Sequence, residues 1–268
     1  MSKTDGTEII ELENGVYARL HDGLTNAGII TGDDSVMVID SLRVPSFARD
    51  LIQDIKHITD KKIKFVIDTH AHWDHAWGNE EFPDAIIIGH ENCYSEMTDI
   101  EWNKQWREKI VNSGDSWSEE AKLVQITPPN QTFAKTMRLY FGGREIILRY
   151  LGKAHTSGDI FIHLPESNIL FTGDVAQNEG MPFFGDSYPE EWPETDDKLI
   201  NLTVDTFVAG HGPIGNHDDL VNARDFLHKF IKEIKILRSR LKRLSFYYLI
   251  CDGFYNLLIN TDIGVFFY

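Results

Sequence analysis

The chain has 268 residues, 42% hydrophobic and 25% charged, which suits a soluble protein with a packed core and excludes a disordered or fibrous one. Forty-two acidic residues against 26 basic ones leave a net charge of −16, so nucleic acid is not an expected partner. The two cysteines, Cys93 and Cys251, lack CxxC spacing and exclude both a disulfide framework and a cysteine zinc knuckle.

The opening Met-Ser-Lys-Thr-Asp-Gly has no basic segment followed by an apolar one, and no run approaches the ~20 apolar residues of a membrane span, so a cytoplasmic protein is expected. Runs rich in β-branched residues at 15–21, 26–31 and 35–39, separated by Gly-Asp and Asp-Gly turns, predict a strand meander whose third member ends at Asp40. Pro45 opens a helix to about His57, and Ile63 to Ile67 is a strand running into His70. After a strand at 85–88 comes a polar, tryptophan-bearing stretch from Glu91 to about Val124. It predicts one or two exposed helices, with Trp102, Trp106 and Trp117 placed to form a lid or a covering layer. His90 and Cys93 have half a zinc-site spacing without a matching half and are read as core or loop residues.

Strands are expected again at 138–141, 145–151, 160–164 and 169–171, then a helix at 194–202 and a strand at 206–208 leading to His211. From Arg224 to Arg243 eight basic residues surround Phe226, Phe230, Ile234, Leu237, Leu241 and Leu244 at helical spacing, which predicts a basic amphipathic helix. Residues 245–268 carry eight aromatics. The expected organisation is a catalytic region at 1–223 and a C-terminal helix and tail at 224–268, packed on it or used in a homo-oligomer.

The chemistry concentrates in His70-Ala71-His72-Trp73-Asp74-His75, three imidazoles and a carboxylate at the end of an apolar strand. In an extended or turning backbone His70 and His72 project to one side and can share an ion, while Asp74 and His75 project differently and can serve a second. His155 in Gly-Lys-Ala-His-Thr-Ser-Gly-Asp159, Asp174 in Phe-Thr-Gly-Asp and His211 in Ala-Gly-His-Gly-Pro stand at further strand ends flanked by glycine. Together they are enough for two borderline-soft divalent ions without thiolate.

In their order, His-x-His-x-Asp-His, Gly-x-x-His-Thr-x-Gly-Asp, Gly-Asp and Gly-His-Gly-Pro resemble the metallo-β-lactamase superfamily from about Tyr17 to Leu220, and more closely its glyoxalase II-like hydrolases. The resemblance implies an α+β fold, the αββα four-layer sandwich, with a dinuclear site at one edge. It assigns His70, His72 and His155 to a first metal, Asp74, His75 and His211 to a second, and Asp174 to a bridge. Asp40 and Asp159 would orient ligands from behind. The ions are expected to be Zn2+, with Fe or Mn as substitutes.

Zinc β-lactamases of the commonest type carry cysteine where Asp174 stands and a basic residue where Gln177 stands. Antibiotic hydrolysis is therefore expected only as a weak side activity. Flavodiiron proteins carry Glu where His72 stands. The expected activity is cleavage of a small acyl ester, thioester or lactone by a metal-bridging hydroxide, with Asp74 or Asp174 moving the proton. Phe183, Phe184 and Tyr188 are expected to line the substrate pocket. The alternatives are a mononuclear iron sulfur dioxygenase of the same fold and a phosphodiesterase.

Overall fold

The computed structural model describes residues 6–251, with side chains to position 240. Four antiparallel strands, β1 (Thr7–Glu13), β2 (Val16–His21), β3 (Ala27–Thr31) and β4 (Ser35–Ile39), lead into helix α1 (Pro45–Ile58), which has proline in its first turn. Strand β5 (Lys62–Ile67) then joins β4 in parallel. A single-turn helix α2 (Trp73–Ala76) and a short 3-10 turn (Trp77–Glu81) precede β6 (Ile86–His90). Helices α3 (Glu91–Thr98), α4 (Ile100–Val111) and α5 (Ser118–Ala121) form an insert before β7 (Gln131–Phe133). These seven strands make one sheet in chain order, antiparallel at its β1 end and parallel at its β7 end.

A second sheet, in the order β12-β11-β10-β9-β8, is built from β8 (Thr136–Phe141), β9 (Arg144–Arg149), β10 (Phe161–Leu164), β11 (Ile169–Gly173) and β12 (Thr206–Ala209), with α6 (Trp192–Leu199) between the last two. Helix α7 (His217–Cys251) follows. Two compact units divide at Arg224 and Asp225.

The alternation of side chains along strands accounts for the layers. In β4, Met37 and Ile39 point towards the second sheet and join Ile67, Leu148, Ile162 and Phe171 in the core between the sheets. Val36 and Val38 point the other way and pack with Leu51 and Ile55 of α1. The result is an α+β sandwich of two sheets packed face to face with helices outside.

Several elements differ from their sequence expectations for local reasons. The insert holds three helices, and its polar composition conceals buried Trp106, Ile110, Cys93 and Met97. Helix α6 starts at Trp192 because Pro193 fits its first turn. Helix α7 starts at His217, its first turn carrying Asp218 and Asp219, and not at Arg224. Of the aromatic stretch 245–268, positions 245–251 continue this helix and the remainder lies outside the described residues. Among the described residues no helix is long and apolar enough to cross a membrane.

Candidate metal centre

Strands that end together deliver the site. Immediately beyond β4 the backbone enters the left-handed region at Asp40 (φ 61°) and Leu42 (φ 71°), a costly conformation for non-glycine residues. The bend aims Asp40 inward, where its carboxylate accepts hydrogen bonds from the Thr69 amide and hydroxyl, both at 2.8 Å, and from His75 Nδ1 at 2.7 Å. Ser41 donates its amide to the His75 carbonyl at 2.8 Å, which fixes helix α2 against the same loop.

The histidines and aspartates of the sequence motifs converge. His72 Nδ1 lies 3.2 Å from His70 Nε2 and 2.8 Å from His155 Nε2. Two nitrogens bound to one tetrahedral zinc stand about 3.3 Å apart, so this spacing suits a shared ion. Asp174 sits between the two halves, 3.3 Å from His75 Nε2 and 3.5 Å from both His155 Nε2 and His211 Nε2. Asp74 Oδ2 is 3.2 Å from His211 Nε2 and 3.8 Å from His75 Nε2. Three groups of donors therefore offer atoms close enough for one ion each: His70, His72 and His155; His70, His75 and Asp174; and Asp74, His75 and His211.

Two observations fit a bound cation. His75 Nε2 and Asp174 Oδ1 are buried, face each other at 3.3 Å and make no well-formed hydrogen bond, an expensive condition for polar atoms inside a protein. The electrostatics also call for positive charge. Burial pushes the Asp74 and Asp174 carboxyls up, but the neighbouring imidazoles, His75 and His211, outweigh it and hold both well below the usual carboxylate range. Burial opposes protonation of His75 and His211, yet Asp174 and Asp74 raise both. His70 and His155 are driven down by burial and by facing imidazoles, His155 to about 3, so they stay neutral and ready to coordinate.

The other predicted residues divide. Asp40 touches His75 directly. Asp159 does not touch a candidate ligand: it accepts from the Thr156 amide and hydroxyl, both at 2.8 Å, and so shapes the loop that carries His155. Burial raises its carboxyl to about 8. Phe183 packs its ring 5.8 Å from His72 and 6.1 Å from His155. Phe184 lies against Trp192 at 5.4 Å, and the Tyr188 ring meets the Lys153 ammonium at 4.4 Å. Of the insert's tryptophans, Trp102 stacks parallel to His72 and Trp106 approaches it at 4.9 Å, whereas Trp117 packs on Phe47 and Trp73.

Four residues escape the sequence reading. Asp186 Oδ2 accepts from His72 Nε2 at 3.1 Å and from Trp106 Nε1 at 2.8 Å, tying a candidate ligand to the insert. Thr25 donates to Asp74 Oδ2 at 3.0 Å. Asn26 donates to the Ala209 and Gly212 carbonyls at 3.0 and 2.9 Å on either side of His211. Arg43, buried, donates to Thr25. These partners lie far away in sequence, beyond the reach of any local motif.

The family profile described as the metallo-beta-lactamase superfamily matches residues 21–211, well over half the chain and all of the convergent ligands. The chain belongs to the metallo-β-lactamase superfamily. Within this superfamily it is 23% identical over 208 residues to a type 2 metallo-beta-lactamase of Bacillus cereus, covering 76% of this chain and 73% of that one. It is 26% identical over 200 residues to the alpha subunit of a 2,4-dinitroanisole O-demethylase from Nocardioides sp. (strain JS1661), covering 71% of this chain and 53% of that protein. The structure of a metallo-beta-lactamase from Pontibacter korlensis matches with a TM-score of 0.66 at 19% identity, over 83% of this chain and 99% of that one.

Proposed function

We propose that this superfamily member is a dinuclear metallohydrolase that cleaves a small acyl ester, thioester or lactone, allied to the glyoxalase II-like hydrolases. The observation that carries the reading is Asp174, a buried carboxylate placed between His155 on one side, through Oδ2, and His75 and His211 on the other. His70, His72 and His155 would hold one ion, Asp74, His75 and His211 the other, and Asp174 both. Bound there, two divalent cations, most simply Zn2+, would supply a hydroxide at neutral pH and Lewis acidity towards an acyl oxygen.

The protein's own groups do the rest. Asp40 fixes the His75 ring through Nδ1, which leaves Nε2 facing the centre. Asp186 does the same for His72 through Nε2, which leaves Nδ1 inward. Asp74 and Asp174 are the carboxylates within reach to take a proton from attacking water and return it to the leaving group. Trp102, Trp106 and Phe183 exclude water from the His72 side. The same aromatic wall supports a substrate with an aryl group, in keeping with the aromatic compound in the name of the Nocardioides relative.

The test is metal content per chain after purification without chelator, followed by a screen of esters, thioesters and lactones with the loaded protein. About two ions and turnover of one of these classes are expected. One iron with oxygen consumption on a persulfide substrate would replace the hydrolase with a dioxygenase.

A further inference from the structure

Arg43 is 4% exposed, and among the described residues no carboxylate lies within salt-bridge distance of its guanidinium. Its charge is met by aromatic faces: the guanidinium carbon lies 5.2, 5.3 and 4.6 Å from the ring centres of Phe47, Trp73 and Trp117. Its Nη2 reaches Thr25 Oγ1 at 3.1 Å, and Thr25 Oγ1 reaches Asp74 Oδ2 at 3.0 Å. The direction of this chain is fixed by chemistry. A guanidinium only donates and an ionised carboxylate only accepts, so the single hydroxyl proton of Thr25 belongs to Asp74.

We infer that Arg43 and Thr25 are a positioning pair for the metal bound by Asp74, His75 and His211, an inference that rests on the dinuclear reading above. The hydroxyl, polarised by the guanidinium behind it, is a stronger donor to Asp74 than an isolated one. The interposed hydroxyl also matters. A guanidinium bound directly to Asp74 would engage both carboxylate oxygens in a fork and compete with the cation, whereas one hydroxyl proton takes a single lone pair and leaves the others for coordination. The backbone of the same threonine pairs with His211 in an isolated antiparallel bridge, and the neighbouring Asn26 amide donates to the Gly210 carbonyl at 2.7 Å. One turn between β2 and β3 thus sets two of the three ligands of that ion. The aromatic cage includes Trp117 at the N-cap of α5, so the insert reaches this half of the centre through Arg43.

The experiment is a stepwise zinc titration of the full, metal-free chain against a chromophoric chelator, with thermal unfolding of the same metal-free samples. His211→Ala identifies which binding step belongs to this ion. Thr25→Val, which keeps the shape and removes the hydroxyl, is expected to weaken that step about 10- to 100-fold and leave the other step unchanged, with only the small fall in metal-free unfolding temperature that follows from the bond lost by Arg43. Thr25→Ser restores the affinity. Arg43→Met weakens the same step about tenfold, and Arg43→Lys does not restore it, lacking the planar guanidinium that the three aromatic rings hold. Two wild-type steps with Thr25→Val unmoved would overturn the pair and leave the dinuclear reading standing. So would equal weakening of both steps with a lower unfolding temperature, the mark of a structural role. A wild-type chain with no step sensitive to His211→Ala would overturn the dinuclear reading and the pair with it.

Discussion

The two donor groups proposed for the two ions each draw two residues from the same short motif but live in different surroundings. His70, His72 and His155 are at most 3% exposed, burial drives the His70 and His155 imidazoles towards neutrality, and Trp102, Trp106 and Phe183 pack around His72. Asp74 and His211 keep side chains 15% and 29% exposed, and they are set by a hydrogen-bonded turn instead of an aromatic roof. The difference separates holding from access: on the proposed dinuclear reading the buried half suits retention of an ion, and solvent reaches the centre from the more exposed carboxylate half.

The strongest way to break this division is to remove the residue common to both sides. Asp174→Ala should empty both halves and lower kcat/KM by at least about 10³, roughly 4 kcal/mol of transition-state stabilisation, with metal content falling in the same elemental analysis. If the variant kept two ions, the bridge would be elsewhere. Asp40→Asn comes next. It disturbs the contact that orients His75 and two bonds from Thr69, and metal affinity is expected to drop about 10- to 100-fold in a chelator competition. Asp186→Asn sharpens the comparison from the closed side. It should weaken binding at the three-histidine half about tenfold and spare the Asp74 half, and equal weakening of both would contradict the separation. Trp106→Phe keeps a ring over His72 and removes only the donor to Asp186, a loss of about 1 kcal/mol read as a small fall in affinity. The smallest effect is Tyr188→Phe. Its ring meets Lys153 and no cluster residue, so kcat/KM should stay within about twofold. A larger loss would return Tyr188 to the substrate pocket.

Much of the centre was legible because its chemistry is dense and local. Six consecutive residues hold four of the donors, and His155, Asp174 and His211 each stand where an apolar strand gives way to glycine. The strands of both sheets announced themselves by alternation, as in Val36 to Ile39, whose two faces serve two different cores. What stayed hidden is what depends on tertiary closure. Asp186 meets His72 across 114 positions and Thr25 meets Asp74 across 49. An aspartate or threonine in a loop carries no sign of such a partner. Strand β1 and the three-residue β7 are too short or too mixed in character to stand out, and the insert looked exposed because its buried face is narrow. Phe183, Phe184 and Tyr188 share an apolar loop soon after Asp174, and of the three it is the Phe183 ring that packs against the histidines, while Phe184 lies on Trp192 and Tyr188 on Lys153.

The clamp made by Asn26 has a mechanical consequence. Two greasy sheet faces resist being pulled apart, but their attraction has no direction and does little to stop one sliding over the other. Asn26 belongs to the first sheet's hairpin and grips the strand end that carries His211 in the second, so it acts as a rivet at the edge where the ligands meet. A slip of a single residue between the sheets would break that rivet and scatter the donors in the same motion. The alignment of the whole sandwich is thereby written into the spacing of seven side chains.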